Sequence, residues 1–194
     1  MKKITLDEIL DLTTYEKRRQ DIRAAVMALK EPRRVAVGDR LTFIFENRDT
    51  VRFQVQEMAR AERMVKPEAI QAELDVYNEL MPGDGELSAT LMIEIPDAEL
   101  IRRELDRLVG IDEYVWLDVG DESTQATFDP KQFEADRISA VQYIRFPLGR
   151  DGAARFADPS VPVALRVAHP SYAASTPIDG ATRESLARDL EPAG

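Results

Sequence analysis

Apolar residues in this chain change period repeatedly, and never in a regular strand–helix–strand rhythm. Val161, Val163, Leu165 and Val167 alternate, as in a strand with one solvated face. Residues 138–148 (ISAVQYIRFPL) form a nearly continuous apolar strand, the pattern of burial on both faces. Residues 35–37 and 41–46 read as strands about a turn at Gly38-Asp39. Residues 87–95 read as a single strand, and 113–119 as another with a partner at 122–128. Strands that come singly or in hairpins between helices predict an α+β fold. We expect one domain over 1–194, with a mainly antiparallel or mixed sheet and helices packed on it, the N-terminal helices 6–31 among them.

The helix signals are local. Thr5 and Glu8 are spaced as a capping box, and so are Thr13 and Glu16. The first predicts a short helix to Leu12. The second predicts a longer one to Lys30, with Ile22, Val26 and Leu29 on one stripe and Pro32 as its stop. Residues 49–65 fit two periods. Val51, Phe53 and Val55 alternate as in a strand, yet Val51, Val55 and Met58 also fall at helical spacing behind Asp49, a good N-cap. No breaker interrupts the segment, so we read a helix, which leaves Phe53 off its stripe. Pro67 opens a further helix with Ile70, Leu74 and Tyr77 on its stripe, ended by Pro82-Gly83. Pro96 opens another, closed by Gly110. Residues 147–162 and 170–180, rich in proline and glycine, read as loops before a last helix over 180–190.

Composition excludes several kinds of chemistry. The chain has 194 residues, no cysteine and one histidine, His169. Thiolate zinc sites, iron–sulfur ligation, cysteine nucleophiles and the HExxH zinc pattern are ruled out for this chain. We expect no cofactor and no metal. The net charge is −10, and the basic doublets Arg18-Arg19, Arg33-Arg34 and Arg102-Arg103 are scattered among acids, so no nucleic-acid partner is expected. No apolar run approaches the roughly 20 residues of a membrane helix. The opening MKKITLDEILDL lacks the apolar run of a signal peptide, so a cytoplasmic chain is expected. Twenty of the 26 basic residues are arginine, which fits either composition bias or recognition of carboxylate or phosphate.

Polar residues crowd the apolar positions of 41–94, and a polar group near a core has to be paired. On a helix from Asp49, Gln56, Glu57 and Arg60 share a face, with Arg48 and Gln54 close by. Glu79, Asp84 and Glu86 surround a Pro-Gly-Asp-Gly turn whose glycines permit close approach to a ligand. Arg145 inside an apolar strand needs an acid partner, with Glu57, Glu79 or Glu94 in reach by sequence. His169 has no nucleophile elbow to pair with, but its ordinary pKa lies near neutrality. The candidate acid–base residues are therefore Glu57 and His169. The candidate ligand-binding residues are Arg48, Gln54, Arg60, Glu79, Asp84, Glu86 and Arg145. Trp116, Tyr143 and Phe146 read as core packing.

The runs FENRDTVRFQVQEMARAER, ELDVYNELMPGDGELSATLMIEI and SAVQYIRFPL resemble a bacterial family designated domain of unknown function 3501. The resemblance covers most of the chain, from Tyr15 to the C-terminal helix. It implies a single-domain bacterial protein with no established activity and no catalytic residue to carry over. It also implies gene neighbours of rubrerythrin-like and iron–sulfur type, and with them an accessory role in redox or peroxide metabolism through partner proteins. The first expectation is thus an accessory protein that binds a protein partner or a small ligand at the surface built from 47–62 and 77–86. The alternative is an enzyme acting on a small anionic substrate, with Arg48, Arg60 or Arg145 holding the anion and Glu57 or His169 moving the proton. A third reading is a homodimer with Phe53 in its interface.

Overall fold

Gly38, at φ +67°, turns β1 (Arg34–Val37) back onto β2 (Leu41–Glu46). A Cβ there would lie 2.3 Å from the Tyr172 hydroxyl, so the turn needs glycine for space as well as for backbone. The computed structural model describes residues 1–130, 133–134 and 137–191; the remainder of the expected 1–194 domain lies outside the described residues. The fold is α+β.

The remaining strands are β3 (Glu86–Ile93), β4 (Val115–Val119), β5 (Glu122–Gln125), β6 (Thr127–Phe128), β7 (Phe133–Glu134), β8 (Arg137–Ile138), β9 (Val141–Pro147), β10 (Val163–His169) and β11 (Tyr172–Pro177). One sheet has the order β1-β2-β3-β9-β6 and a second the order β11-β10-β4-β5, while β7 pairs with β8 alone. Every described pairing is antiparallel, so the mixed alternative falls away.

The two sheets meet at both margins. On one side β5 and β6 are a single extended segment that changes sheets at Ala126, whose N–H donates to the Val115 carbonyl (2.9 Å). On the other, side chains join β11 to β1. Thr176 Oγ1 donates to the Ala36 carbonyl (2.6 Å), and the Tyr172 hydroxyl donates to the Val37 carbonyl (2.8 Å) while accepting from the Arg40 N–H (3.1 Å). Such closure leaves little open sheet edge. The inner faces enclose one core that includes Phe43, Phe45, Leu91, Leu117, Phe146 and Leu165. The expected two-faced burial of 138–148 does not hold. Gln142, Ile144 and Phe146 are buried, whereas Val141, Tyr143 and Arg145 face the other way.

Among the described residues there are six α-helices: α1 (Leu12–Lys30), α2 (Arg48–Ala61), α3 (Pro67–Tyr77), α4 (Ile101–Asp106), α5 (Gly149–Ala157) and α6 (Gly180–Ala187). None is long and apolar enough to cross a membrane among the described residues. The ambiguous 49–65 segment is helix. Its N-cap is Asn47 rather than Asp49: Asn47 Oδ1 accepts from the N–H groups of Asp49 and Thr50, and Thr50 Oγ1 accepts from the Asn47 N–H. Likewise α1 starts two residues before the Thr13 box, capped by Asp11. The Thr5–Glu8 box encloses only a 3-10 turn. Helix α5 and strand β11 fall where loops were expected. Phe156 of α5 is fully buried, and Arg183 of α6 donates to the carbonyls of Phe156, Asp158 and Val161 at the C-terminal end of α5.

A second, smaller core holds Ile4, Val51, Val55, Leu74 and Met81, and joins α2, α3 and the N-terminal segment. Arg33, 1% exposed, anchors the C-terminal helix to the sheet. Its guanidinium donates to the Phe45 carbonyl (2.8 Å), the Glu46 carbonyl (3.2 Å), Ser185 Oγ (3.1 Å) and the Asp189 carboxylate. Burial pushes the Asp189 carboxyl up, and Arg33 opposes that push. Replacing Arg33 with Met removes the donor from two carbonyls and a buried acid at once. Urea denaturation should show Arg33→Met to be less stable by about 3–5 kcal/mol.

Candidate functional site

The polar residues of 41–94 separate into three groups. The first holds the N-terminal segment, which has no strand to pair with. Gln56 Oε1 accepts from the Leu10 N–H (2.8 Å), and its Nε2 donates to the Leu10 carbonyl (2.9 Å). Asn78 treats Ile4 in the same way, at 2.8 and 3.0 Å. Arg48 donates to the Lys2 carbonyl (2.9 Å), the Lys3 carbonyl (3.4 Å) and the Glu8 carboxylate. Gln54 donates to Glu46 (2.9 Å), a buried carboxylate that also accepts from Thr50 and Thr90.

The second group locks α1 onto α2. Arg19 grips Glu57 in a two-point bond (2.8 and 2.9 Å), the Tyr15 hydroxyl donates to Glu57 Oε1 (2.5 Å), and Arg60 stands 3.6 Å from Oε2. Arg60 also reaches Glu16 at 3.5 Å. Arg19 first, with help from Tyr15, holds the Glu57 carboxyl down to about 2, against burial. A carboxylate so firmly held as an anion is a poor base near neutrality. Phe53 is half-buried and, with Ile22 and Val26, lines a groove between α1 and α2.

The third group borders a cleft of about 880 Å³ between α3 and the β9–β6 margin of the first sheet. Glu73, Asp75, Val76, Tyr77 and Glu79 form its helical wall; Ser88, Thr127, Phe128, Asp129, Tyr143 and Arg145 line the sheet side. Arg145 donates to the Glu86 carboxylate and to the carbonyls of Glu79 and Met81. Its acid partner is thus Glu86, which sequence spacing did not single out, and Glu79 contributes a carbonyl instead of its carboxylate. Glu86 also accepts from the Gly83 N–H (3.1 Å), closing the turn that leaves Asp84 exposed. Gly85, at φ +66°, sits where a Cβ would meet the Gly149 backbone at 2.9 Å, so the glycine serves chain packing.

The structure does not bring Glu57 and Arg60 to the cleft that Glu79 and Arg145 line. His169 is elsewhere again. Its Nδ1 accepts from the Ser171 N–H (3.1 Å), so Nε2 carries the hydrogen and donates to the Val109 carbonyl (3.2 Å), with Tyr114 edge-on at 5.2 Å. Both ring nitrogens are engaged, and the residue is 7% exposed. Among the described residues no group of three His, Asp or Glu side chains is placed to hold a metal ion. Tyr143 is a cleft residue, not core. Trp116 lies on the outer face of the second sheet under the Arg166 guanidinium, 5.7 Å from its ring. Period-two alternation along 141–147, applied strictly, would have put Tyr143 beside Arg145 and away from Ile144 and Phe146.

The family model for a protein of unknown function, DUF3501, matches residues 3–190. The chain belongs to this family. It is similar to a crystal structure, at 1.90 Å resolution, of a novel protein of unknown function from Burkholderia pseudomallei K96243. The two share 37% identity with a TM-score of 0.91, over 98% of this chain and 100% of that one. No curated protein matches the chain.

The Glu57 cluster makes stability depend on acid. A carboxyl held at about 2 in the folded chain, against an ordinary 4.5, takes up its proton more readily when unfolded. The stabilisation is therefore complete above about 4.5 and is lost as pH falls towards about 2. The group is a quarter exposed, and solvent screening reduces the effect to about 1–2 kcal/mol. Thermal melts of Glu57→Gln should lie below those of the parent at neutral pH, and the gap should close towards pH of about 2. Glu8, held down in the same range by Arg48, titrates in both proteins and drops out of the difference.

Proposed function

We propose that this chain is a binding protein and that the cleft between α3 and β9 seats a segment of a partner protein. The observation that carries this reading is the cleft itself. Its volume of about 880 Å³ lies near the top of the roughly 300–1,000 Å³ of small-molecule sites, room enough for several side chains of a bound segment. Its lining combines two phenols, Tyr77 and Tyr143, with Phe128, Leu80 and Ile144. Val76, 63% exposed, leaves an isopropyl group in water on its helical wall. Solvent-facing apolar groups beside hydroxyl and carboxylate groups are covered best by a chain carrying both kinds of side chain. The partner is met in the cytoplasm on this reading.

An enzyme acting on a small anion is less well supported by the same geometry. Arg48, Arg60 and Arg145 each face a carboxylate of the chain itself, and neither Glu57 nor His169 lines the cleft.

A displayed library of random peptides, selected on the full chain, tests the docking reading. The selected peptides should slow amide exchange in 73–80 and 143–145. They should also bind the Val76→Ser variant several-fold more weakly, the loss of one small apolar contact being about 1 kcal/mol. Peptides whose footprint lies elsewhere, or a selection that yields no binder, would overturn it.

A further inference from the structure

The cleft's charge distribution indicates what kind of segment it takes. Glu73 and Asp75 on α3 and Glu79 in the turn just after it put three carboxylates on the helical wall, Asp129 lies on the sheet side, and among the described lining residues the cation is Arg145. That guanidinium is already bound to Glu86 and to two backbone carbonyls. Asp75 accepts from the neutral amide of Gln71 (2.8 Å), which leaves its charge in place. Glu79 is exposed. An anion entering here would meet these carboxylates before it could compete with Glu86 for Arg145.

The aromatic lining points the same way. The faces of tyrosine rings attract ammonium and guanidinium groups, and more strongly where water is partly excluded. Both phenols, Tyr77 and Tyr143, are partly buried, and burial raises each above its ordinary range. Phenols and carboxylates set around an open apolar rim suit a chain on which aliphatic and cationic side chains alternate.

Resting on the docking reading above, we infer that the segment bound in the α3–β9 cleft is a basic one, whose lysine or arginine side chains sit among Glu73, Asp75 and Glu79 and against Tyr77 and Tyr143. A chain with net charge −10 would also draw such a segment in from a distance. A free polyamine would satisfy the carboxylates but leave Val76 in water, so the source is a protein segment.

Fluorescein-labelled decapeptides in which leucine alternates with arginine, glutamine or glutamate supply the probes, with fluorescence polarisation on the full chain as the readout. The arginine peptide should bind at least about tenfold more tightly than the glutamine peptide, and the advantage should vanish at about 0.5 M salt. It should also vanish in the triple variant Glu73→Gln, Asp75→Asn, Glu79→Gln. Two of these three side chains are exposed, and a thermal melt confirms that the variant folds. A glutamine peptide that binds as tightly and still responds to Val76→Ser would overturn the basic segment while the docking reading stands. Arginine-peptide binding that survives in the triple variant would be general attraction to an acidic chain, and would overturn the inference. Binding of spermidine in the cleft, with no competition from the arginine peptide, would overturn it too.

Discussion

A peptide group buried outside a sheet must still find hydrogen bonds, and in this chain side chains supply them. The N-terminal segment lies against α2 and α3 without a neighbouring strand. Gln56 and Asn78 each present a carboxamide to one residue, Leu10 and Ile4, accepting from its N–H and donating to its carbonyl as a strand partner would. Arg48 does the same for the carbonyls of Lys2 and Lys3. These contacts fix Ile4 in the small core with Val51, Val55, Leu74 and Met81. That core places α3, and α3 forms one wall of the cleft. The polar residues that look anomalous in the sequence are therefore mainly scaffolding.

Arginine carries much of the rest. Every ion pair among the described residues uses it. Arg33, Arg48, Arg145 and Arg183 each bind two or more backbone carbonyls as well. The forked, planar guanidinium reaches several oxygens from one position, which a lysine ammonium on a flexible stem does poorly. The arginine excess thus has a structural use within this molecule, as recognition of its own carbonyls and carboxylates.

Elements with strong local signals were legible in the sequence. Pro67 opens α3, Gly38 turns β1 into β2, and the apolar residues of β10 alternate as expected. Elements formed by tertiary contact were not. Helix α5 (GRDGAARFA) has two glycines and no N-cap bond, and it holds through burial of Phe156 and through Arg183 at its C-terminal end. Strand β11 (YAASTP) has few large apolar residues; pairing with β10 and the Thr176 and Tyr172 bonds to β1 order it. The candidate residues were found as polar groups near a core, but which of them met depended on packing. Glu57 turned towards α1, Glu86 towards Arg145, and His169 into a closed pair of backbone contacts. Glu73 and Asp75 lay on an ordinary exposed helix face in the sequence, and only the approach of β9 makes that face a wall.

Where the scaffold takes up its arginines determines where negative charge is left over. Glu8, Glu57, Glu86, Glu104, Asp118 and Asp189 each have a guanidinium within bonding distance. Such carboxylates are neutralised locally and contribute little to the outward field. Glu73 and Asp75 occupy a helix whose sequence, PEAIQAELDVY, contains no basic residue at all. Among the described residues no cation pairs with the acid of α3 where it faces the cleft, and the sheet opposite offers an arginine already bonded to Glu86 and to two carbonyls. If the helix served merely to cover the small core, a lysine four residues from either acid would stabilise it slightly. The absence of any such cation, beside two phenols and an exposed valine, gives this wall a charge that packing alone does not require.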